Sequence, residues 1–151
     1  MTRLLFPGTF DPFTRGHQDL VERALQFADE VIVAIGENAN KQPCFSLDER
    51  KAQIADAFGN DPRVSVCSYS GLTTQLAQQV GATAILRGVR SVHDFEYERD
   101  MADVNRRLTG IDTVLLMADP KLAAVSSSIV RELIKFGQDV TDFLPEKKAA
   151  K

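Results

Sequence analysis

Thr9, His17, Lys41, Arg87, Arg90 and the run Ser126-Ser127-Ser128 are the residues whose types and positions best suit chemistry on a phosphate. His17 closes the turn Thr9-Phe10-Asp11-Pro12-Phe13-Thr14-Arg15-Gly16, where residues of helical periodicity begin. The first turn of a helix offers free amides and the positive end of the macrodipole, which favour a bound anion. An imidazole there can hydrogen-bond a phosphate while the Thr9 hydroxyl approaches from across the turn. A simple capping role for His17 is the alternative. The prolines and glycines Pro7, Gly8, Pro12 and Gly16 fix the path of the turn and favour the phosphate reading.

Lys41 follows the polar stretch Glu37-Asn38-Ala39-Asn40 and suits a phosphate that changes geometry, being a mobile point charge. Alone it reads as a solvated surface lysine. In Arg87-Gly88-Val89-Arg90 two cations flank a glycine at a strand end, where the backbone can come close to a ligand. The competing reading is a turn neutralised by Asp94, Glu96 and Glu98, because a charged doublet on a buried strand end is costly without an anionic partner. One serine of Ser126-Ser127-Ser128 is enough to cap a helix. Three, followed by Arg131, could also cradle a phosphate. Asp119 and Glu132 are compatible with simple solvation.

The elements that must position these residues follow from periodicity. Arg3-Leu4-Leu5-Phe6 reads as a buried strand ended by Pro7-Gly8, and Leu20, Val21, Ala24, Leu25 and Ala28 mark the helix behind His17. Glu30 to Ile35 is the second strand. Ser46-Leu47-Asp48-Glu49 has the form of a capping box opening a helix that turns Leu47, Ile54, Ala57 and Phe58 inward. Val64 to Cys67 is the third strand; Leu72, Leu76, Ala77 and Val80 mark a helix stopped by Gly81. Thr83 to Leu86, a long charged helix from Val92 to Leu108, and Thr113 to Met117 follow, with a last helix opening near Ser127. Phe95 is expected to anchor the long helix in the core, with Tyr97 partly exposed and Asn105 and Arg106 on an open face.

Five apolar strands alternating with helices predict an α/β, doubly wound, five-stranded parallel sheet. In such sheets ligands bind beyond the carboxyl ends of the strands, where the candidate residues fall. The 151 residues fit a single domain, and Lys147 to Lys151 after Pro145 read as a frayed tail.

Eighteen Lys and Arg against 21 Asp and Glu give a net charge of −3, which excludes an overall basic field for nucleic acid and leaves room for a local anion site. Two cysteines, the absence of an apolar leader and the absence of a membrane-length apolar run predict a reducing, cytoplasmic setting. Two histidines and no Cys-x-x-Cys pair exclude a His-rich or cysteine-based metal centre. Gly-x-Ser-x-Gly, the dinucleotide glycine motif and the phosphate-loop motif are all absent, so the sheet must bind phosphate by another device.

Taken together, Phe-Pro-Gly-Thr-Phe-Asp-Pro (6–12), Thr-x-Gly-His (14–17), Lys-x-x-x-Phe (41–45), Glu-Arg (49–50), Arg-Gly-x-Arg (87–90) and Asp-Phe-Glu-Tyr-Glu (94–98) resemble the bacterial-type phosphopantetheine adenylyltransferases. Asn105-Arg106, the three serines and Asp-Val-Thr-x-Phe-Leu-Pro (139–145) extend the likeness almost end to end. The resemblance implies a Rossmann-like nucleotidyltransferase fold and transfer of the adenylyl group of ATP to 4′-phosphopantetheine in coenzyme A synthesis. Mg²⁺ would be bound mainly through the ATP phosphates, and the assembly would be a homohexamer of two trimers.

The resemblance places Thr9, Lys41 and Arg87 on the acceptor phosphate and His17 on the α-phosphorus. Arg90, Ser127 and Ser128 fall on the ATP phosphates and Glu98 near the nucleotide, with Phe10, Gly88 and Ser126 completing that side. Leu72, Thr73, Asn105 and Glu132 fall along the pantetheine arm; Thr73 and Val125 depart from the commoner family residues. Rival readings are adenylylation of nicotinate mononucleotide, cytidylylation of a small phosphorylated alcohol, a non-catalytic adenine-nucleotide sensor and an RNA-binding module. The acidic net charge and missing aromatic-basic surface weigh against the last of these.

Overall fold

A computed structural model describes residues 1–148 of the chain. The order of elements is β1 (Arg3–Gly8), α1 (Arg15–Ala24), β2 (Glu30–Gly36), α2 (Leu47–Phe58), β3 (Val64–Tyr69), α3 (Thr73–Gln79), β4 (Ala84–Val89), α4 (Val92–Thr109), β5 (Asp112–Met117) and α5 (Ser127–Lys135). Short 3-10 turns at Pro120–Leu122 and Thr141–Phe143 complete it.

All five strands pair in parallel in the order β3-β2-β1-β4-β5, the doubly wound sheet expected from the sequence. The chain first winds outward from β1 through β2 to β3, then returns to the other side of β1 for β4 and β5. The winding therefore reverses between β1 and β4. At such a switch point the loops leaving adjacent strands diverge, opening a crevice at their carboxyl ends.

Alternation along β1 divides the core between two faces. Leu4 and Phe6 join Phe13, Val21, Val33, Ile54 and Phe58 on the larger face, beneath α1 and α2. Leu5 joins Ala34, Ala77 and Ile85 on the smaller face, beneath α3. Each fully buried Leu, Val, Ile or Phe contributes about 1.5–3 kcal/mol relative to exposure, so the larger face dominates the stability of the sheet.

Several expectations are corrected. Pro7 and Gly8 do not end β1 but belong to it, pairing with Ala34 and Ile35. Likewise β4 continues through Val89, so Arg87 and Gly88 lie within the strand. Phe95 is 40% exposed and does not anchor α4; the buried residue of that helix is Glu98. Leu72 is exposed and precedes α3 at its N-cap. Ser46 accepts the Glu49 amide as in the first half of a capping box, whereas the complete reciprocal box is made by Thr14 and His17. Of the segment expected to form a tail, Lys148 donates its amide to the Asp56 carbonyl and pairs through Nζ with Glu22. The rest of that segment, 149–151, lies outside the described residues.

Candidate active site

His17 is the third residue of α1, and its ring is held on both its polar and its apolar sides. The Thr14 amide donates to Nδ1 at 3.0 Å, and the Thr14 hydroxyl lies 3.1 Å from the same nitrogen. An Nδ1 that accepts an amide carries no proton, so the neutral ring bears its hydrogen on Nε2. Phe10 and Phe13 flank the ring with centroids at 4.9 and 5.2 Å, and Phe6 stands at 6.0 Å. Burial, followed by the positive charges of Arg87 and Arg90, pushes the His17 pKa down to about 3. The imidazole is therefore neutral at physiological pH, with a fixed N–H donor.

Close backbone approaches build the floor under it. Phe10 adopts a φ of 50°, in the left-handed region, and a side-chain carbon at Gly8 would come within 2.8 Å of its ring. A side-chain carbon at Gly88 would lie 2.4 Å from Cδ1 of Leu20, so the glycine lets α1 settle against β4. At these two glycines the histidine turn and the arginine strand pack with no room for a side-chain carbon between them.

The cleft above this floor encloses about 730 Å³. Its walls include Thr9, Phe10, His17, Lys41, Arg87, Gly88, Arg90, Glu98 and all three serines, so segments distant in sequence meet at one rim. A second cleft of about 590 Å³ holds Leu72, Thr73 and Asn105 and shares Thr9, Arg87, Tyr97 and Glu98 with the first. Glu132 is exposed on α5 and lines neither cleft.

The cations have partners of their own. Arg87 Nε faces the buried Glu98 carboxylate at 2.7 and 3.1 Å, and its Nη1 donates to the Pro7 carbonyl at 2.8 Å. Arg90 pairs with Asp94 at 3.3 Å. The competing sequence reading of a neutralised doublet is thus realised in part, yet both arginines also line the cleft. The serines are similarly engaged: Ser126 caps α5, Ser127 donates to the Pro12 carbonyl at 2.7 Å, and Ser128 accepts from Arg131 at 3.2 Å.

Residue type and spacing assign no role to Asp11 or Arg50, and make Arg131 only a companion of the serines. All three line the cleft and are bonded to the histidine turn. The Asp11 carboxylate accepts two amides from residues 44 and 45, Arg50 donates to the Thr9 carbonyl, and Arg131 donates to the Asp11 carbonyl. Their bonds span 33 to 120 residues, so no local spacing reveals them.

Comparison with known proteins agrees with this geometry. Residues 5–133 match the Cytidylyltransferase-like family. A protein from Porphyromonas gingivalis named phosphopantetheine adenylyltransferase is 59% identical over 142 residues, covering 94% of this chain and 93% of that protein. One of the same name from Phocaeicola vulgatus is 54% identical over 146 residues, covering 97% of each. The chain belongs to the phosphopantetheine adenylyltransferase family. A bifunctional NMN adenylyltransferase/ADP ribose pyrophosphatase from Francisella tularensis superposes with a TM-score of 0.73 at 19% identity, over 97% of this chain and 46% of that one. Less than half of that protein is spanned, and at this identity the likeness shows the shared nucleotidyltransferase fold alone.

Proposed function

We propose that the protein transfers the adenylyl group of ATP to 4′-phosphopantetheine, giving dephospho-coenzyme A and pyrophosphate. The observation that carries the reading is the neutral His17 ring, its Nδ1 occupied by Thr14, in a cleft that also contains Lys41, Arg87 and Arg90. A phosphate monoester is already an adequate nucleophile, so the site needs in-line placement and charge neutralisation, not a covalent intermediate. An acceptor oxygen forms a bond to the α-phosphorus as the bond to the β-bridging oxygen breaks. The departing electron pair leaves with pyrophosphate.

In this reading Thr9, Lys41 and Arg87 hold the acceptor phosphate, while Arg90, Ser127, Ser128 and the helix end at Ser126 face the ATP phosphates. Phe10, Gly88 and Glu98 complete the nucleotide side. Glu98 is engaged by Arg87, so the two act as a unit. His17 Nε2–H donates to a non-bridging oxygen whose charge grows in the transition state, where a fixed donor is worth more than in the ground state. Leu72, Thr73 and Asn105 in the adjoining cleft suit the pantetheine arm.

Mg²⁺ bound to the ATP phosphates would supply further charge neutralisation. Among the described residues no group of three or more His, Cys, Asp or Glu converges to hold a metal ion. The cleft carboxylates Asp11, Asp94 and Glu98 are bonded to amides or guanidinium groups. This fits a cation carried by the nucleotide.

No helix among the described residues is long and apolar enough to cross a membrane. A cytoplasmic setting and a homohexamer of two trimers complete the proposal. Exposed apolar residues along α4, including Phe95, Met101, Val104 and Leu108, support association with further copies.

The test is a magnesium-dependent assay of ATP with 4′-phosphopantetheine, following dephospho-coenzyme A and pyrophosphate, with nicotinate mononucleotide in parallel. Both products should form with the first acceptor. Turnover with nicotinate mononucleotide alone would replace the acceptor assignment; turnover with neither would remove the transferase reading.

A further inference from the structure

Thr9 and Lys41, two of the three residues assigned above to the acceptor phosphate, stand on segments with little in common. Thr9 follows β1, whereas Lys41 lies in the irregular connection between β2 and α2. The Lys41 backbone bond is local, its amide donating to the Asn38 carbonyl at 3.1 Å. That turn does nothing to place the lysine relative to Thr9.

The link across is Asp11. Its Oδ2 accepts the Cys44 amide and its Oδ1 accepts the Phe45 amide, each at 2.8 Å. Asp11 is 4% exposed, so the acceptor side of both bonds is shielded from competing water. Two consecutive amides on the two oxygens of one carboxylate fix the direction of the chain as well as its position, and charge assistance strengthens each bond. Arg50, 5% exposed, braces the same junction, donating Nη1 to the Thr9 carbonyl at 2.9 Å and Nε to the Ser46 carbonyl at 3.4 Å. On the other side Arg131 Nη1 donates to the Asp11 carbonyl at 2.8 Å.

The segment tied down adds little to the core, since Lys41 to Cys44 are exposed and Phe45 is half-buried. We propose that Asp11 is a positioning residue for the acceptor half of the site, acting through the Cys44 and Phe45 amides to hold Lys41 opposite Thr9. This rests on the proposed adenylyl transfer to a phosphorylated acceptor. It adds a group that acts through the lysine, outside the set assigned to substrate contacts.

The test compares wild type, Asp11→Asn, Lys41→Ala and the double variant. Asn presents one acceptor oxygen where Asp presents two and carries no charge, so one amide loses its partner. The acceptor KM of Asp11→Asn should rise about tenfold while the ATP KM stays within about twofold. In the Lys41→Ala background the same substitution should change the acceptor KM by less than about twofold, because its effect runs through the lysine. Equal factors in both backgrounds, or equal rises for ATP and acceptor, overturn the proposal.

A second readout needs no turnover. Trypsin should cleave after Lys41 faster in Asp11→Asn than in wild type at a temperature well below the Tm of both, and an unchanged cleavage rate overturns the latch. If Asp11→Asn fails to fold, Cys44→Pro removes one of the two donors at an exposed position. It must produce the same acceptor-selective rise and faster cleavage; wild-type behaviour overturns the proposal. Wild-type protein without product would sink the functional reading and leave the cleavage comparison to decide the latch.

Discussion

Helices α1 and α4 both bring a functional group to the cleft, by opposite means. The ten residues of α1 bury Gln18, Leu20, Val21 and Ala24, and place a neutral imidazole with backbone bonds and phenyl rings. The eighteen residues of α4 bury only Glu98, whose carboxylate holds Arg87. A neutral group can be positioned by packing and by hydrogen bonds from neutral partners. A charged one must keep a counter-charge until an anionic ligand joins or replaces it. The α1 side should therefore respond to changes of shape, and the α4 side to changes of charge.

The comparison breaks most decisively at His17. His17→Ala should lower kcat by about 10²-fold or more with little change in ATP KM, as for loss of a transition-state donor. Near-normal turnover in the purified variant would remove the histidine from the reaction. Next comes Gly88→Ala, at the contact between the two regions. The added carbon would meet Leu20 at 2.4 Å, and we expect a loss of about 2 kcal/mol in denaturant unfolding. A wild-type midpoint would mean that the Leu20 side chain or α1 gives way freely, contrary to placement by packing.

On the charged side, Glu98→Gln keeps the shape and removes the counter-charge. A loss of about 1.5 kcal/mol is expected, accompanied by a raised acceptor KM. An unchanged KM would separate Arg87 from the acceptor. A pH series sharpens the contrast further. The folded His17 pKa of about 3 lies below the ordinary 6.5, so the unfolded chain binds the extra proton between these values. Stability from this group is present above pH 6.5 and falls as pH drops toward 3, by about 1.4 kcal/mol per unit inside the window. Replacing His17 with Gln should flatten that part of the unfolding profile, and turnover should show no His17 step between pH 6 and 8. The smallest effect is expected for Asp94→Asn, which opens an exposed ion pair and should change stability by about 0.5 kcal/mol or less at moderate salt.

Much of this architecture is legible before any coordinates. The apolar runs at Leu4, Val31 and Ile85 specify strands, and their alternation with helices specifies a parallel sheet whose ligands gather at one edge. Strand ends were harder to read. Pro7 and Gly8 are turn-forming types, yet pairing with β2 keeps them extended. Phe95 departs from its residue type for a similar reason: its type suggests a core residue, whereas α4 turns it outward and buries a carboxylate.

Residue types and spacing by themselves determined which groups could act on phosphate, and that they would gather toward the carboxyl end of one sheet. Tertiary structure alone decided how each is held. It buried the His17 ring among Phe6, Phe10 and Phe13, paired Arg87 with Glu98, and joined Asp11 to amides more than thirty residues away. Hydrogen bonds and ion pairs depend on distance in space. The chain encodes those distances only through the packing of the whole sheet.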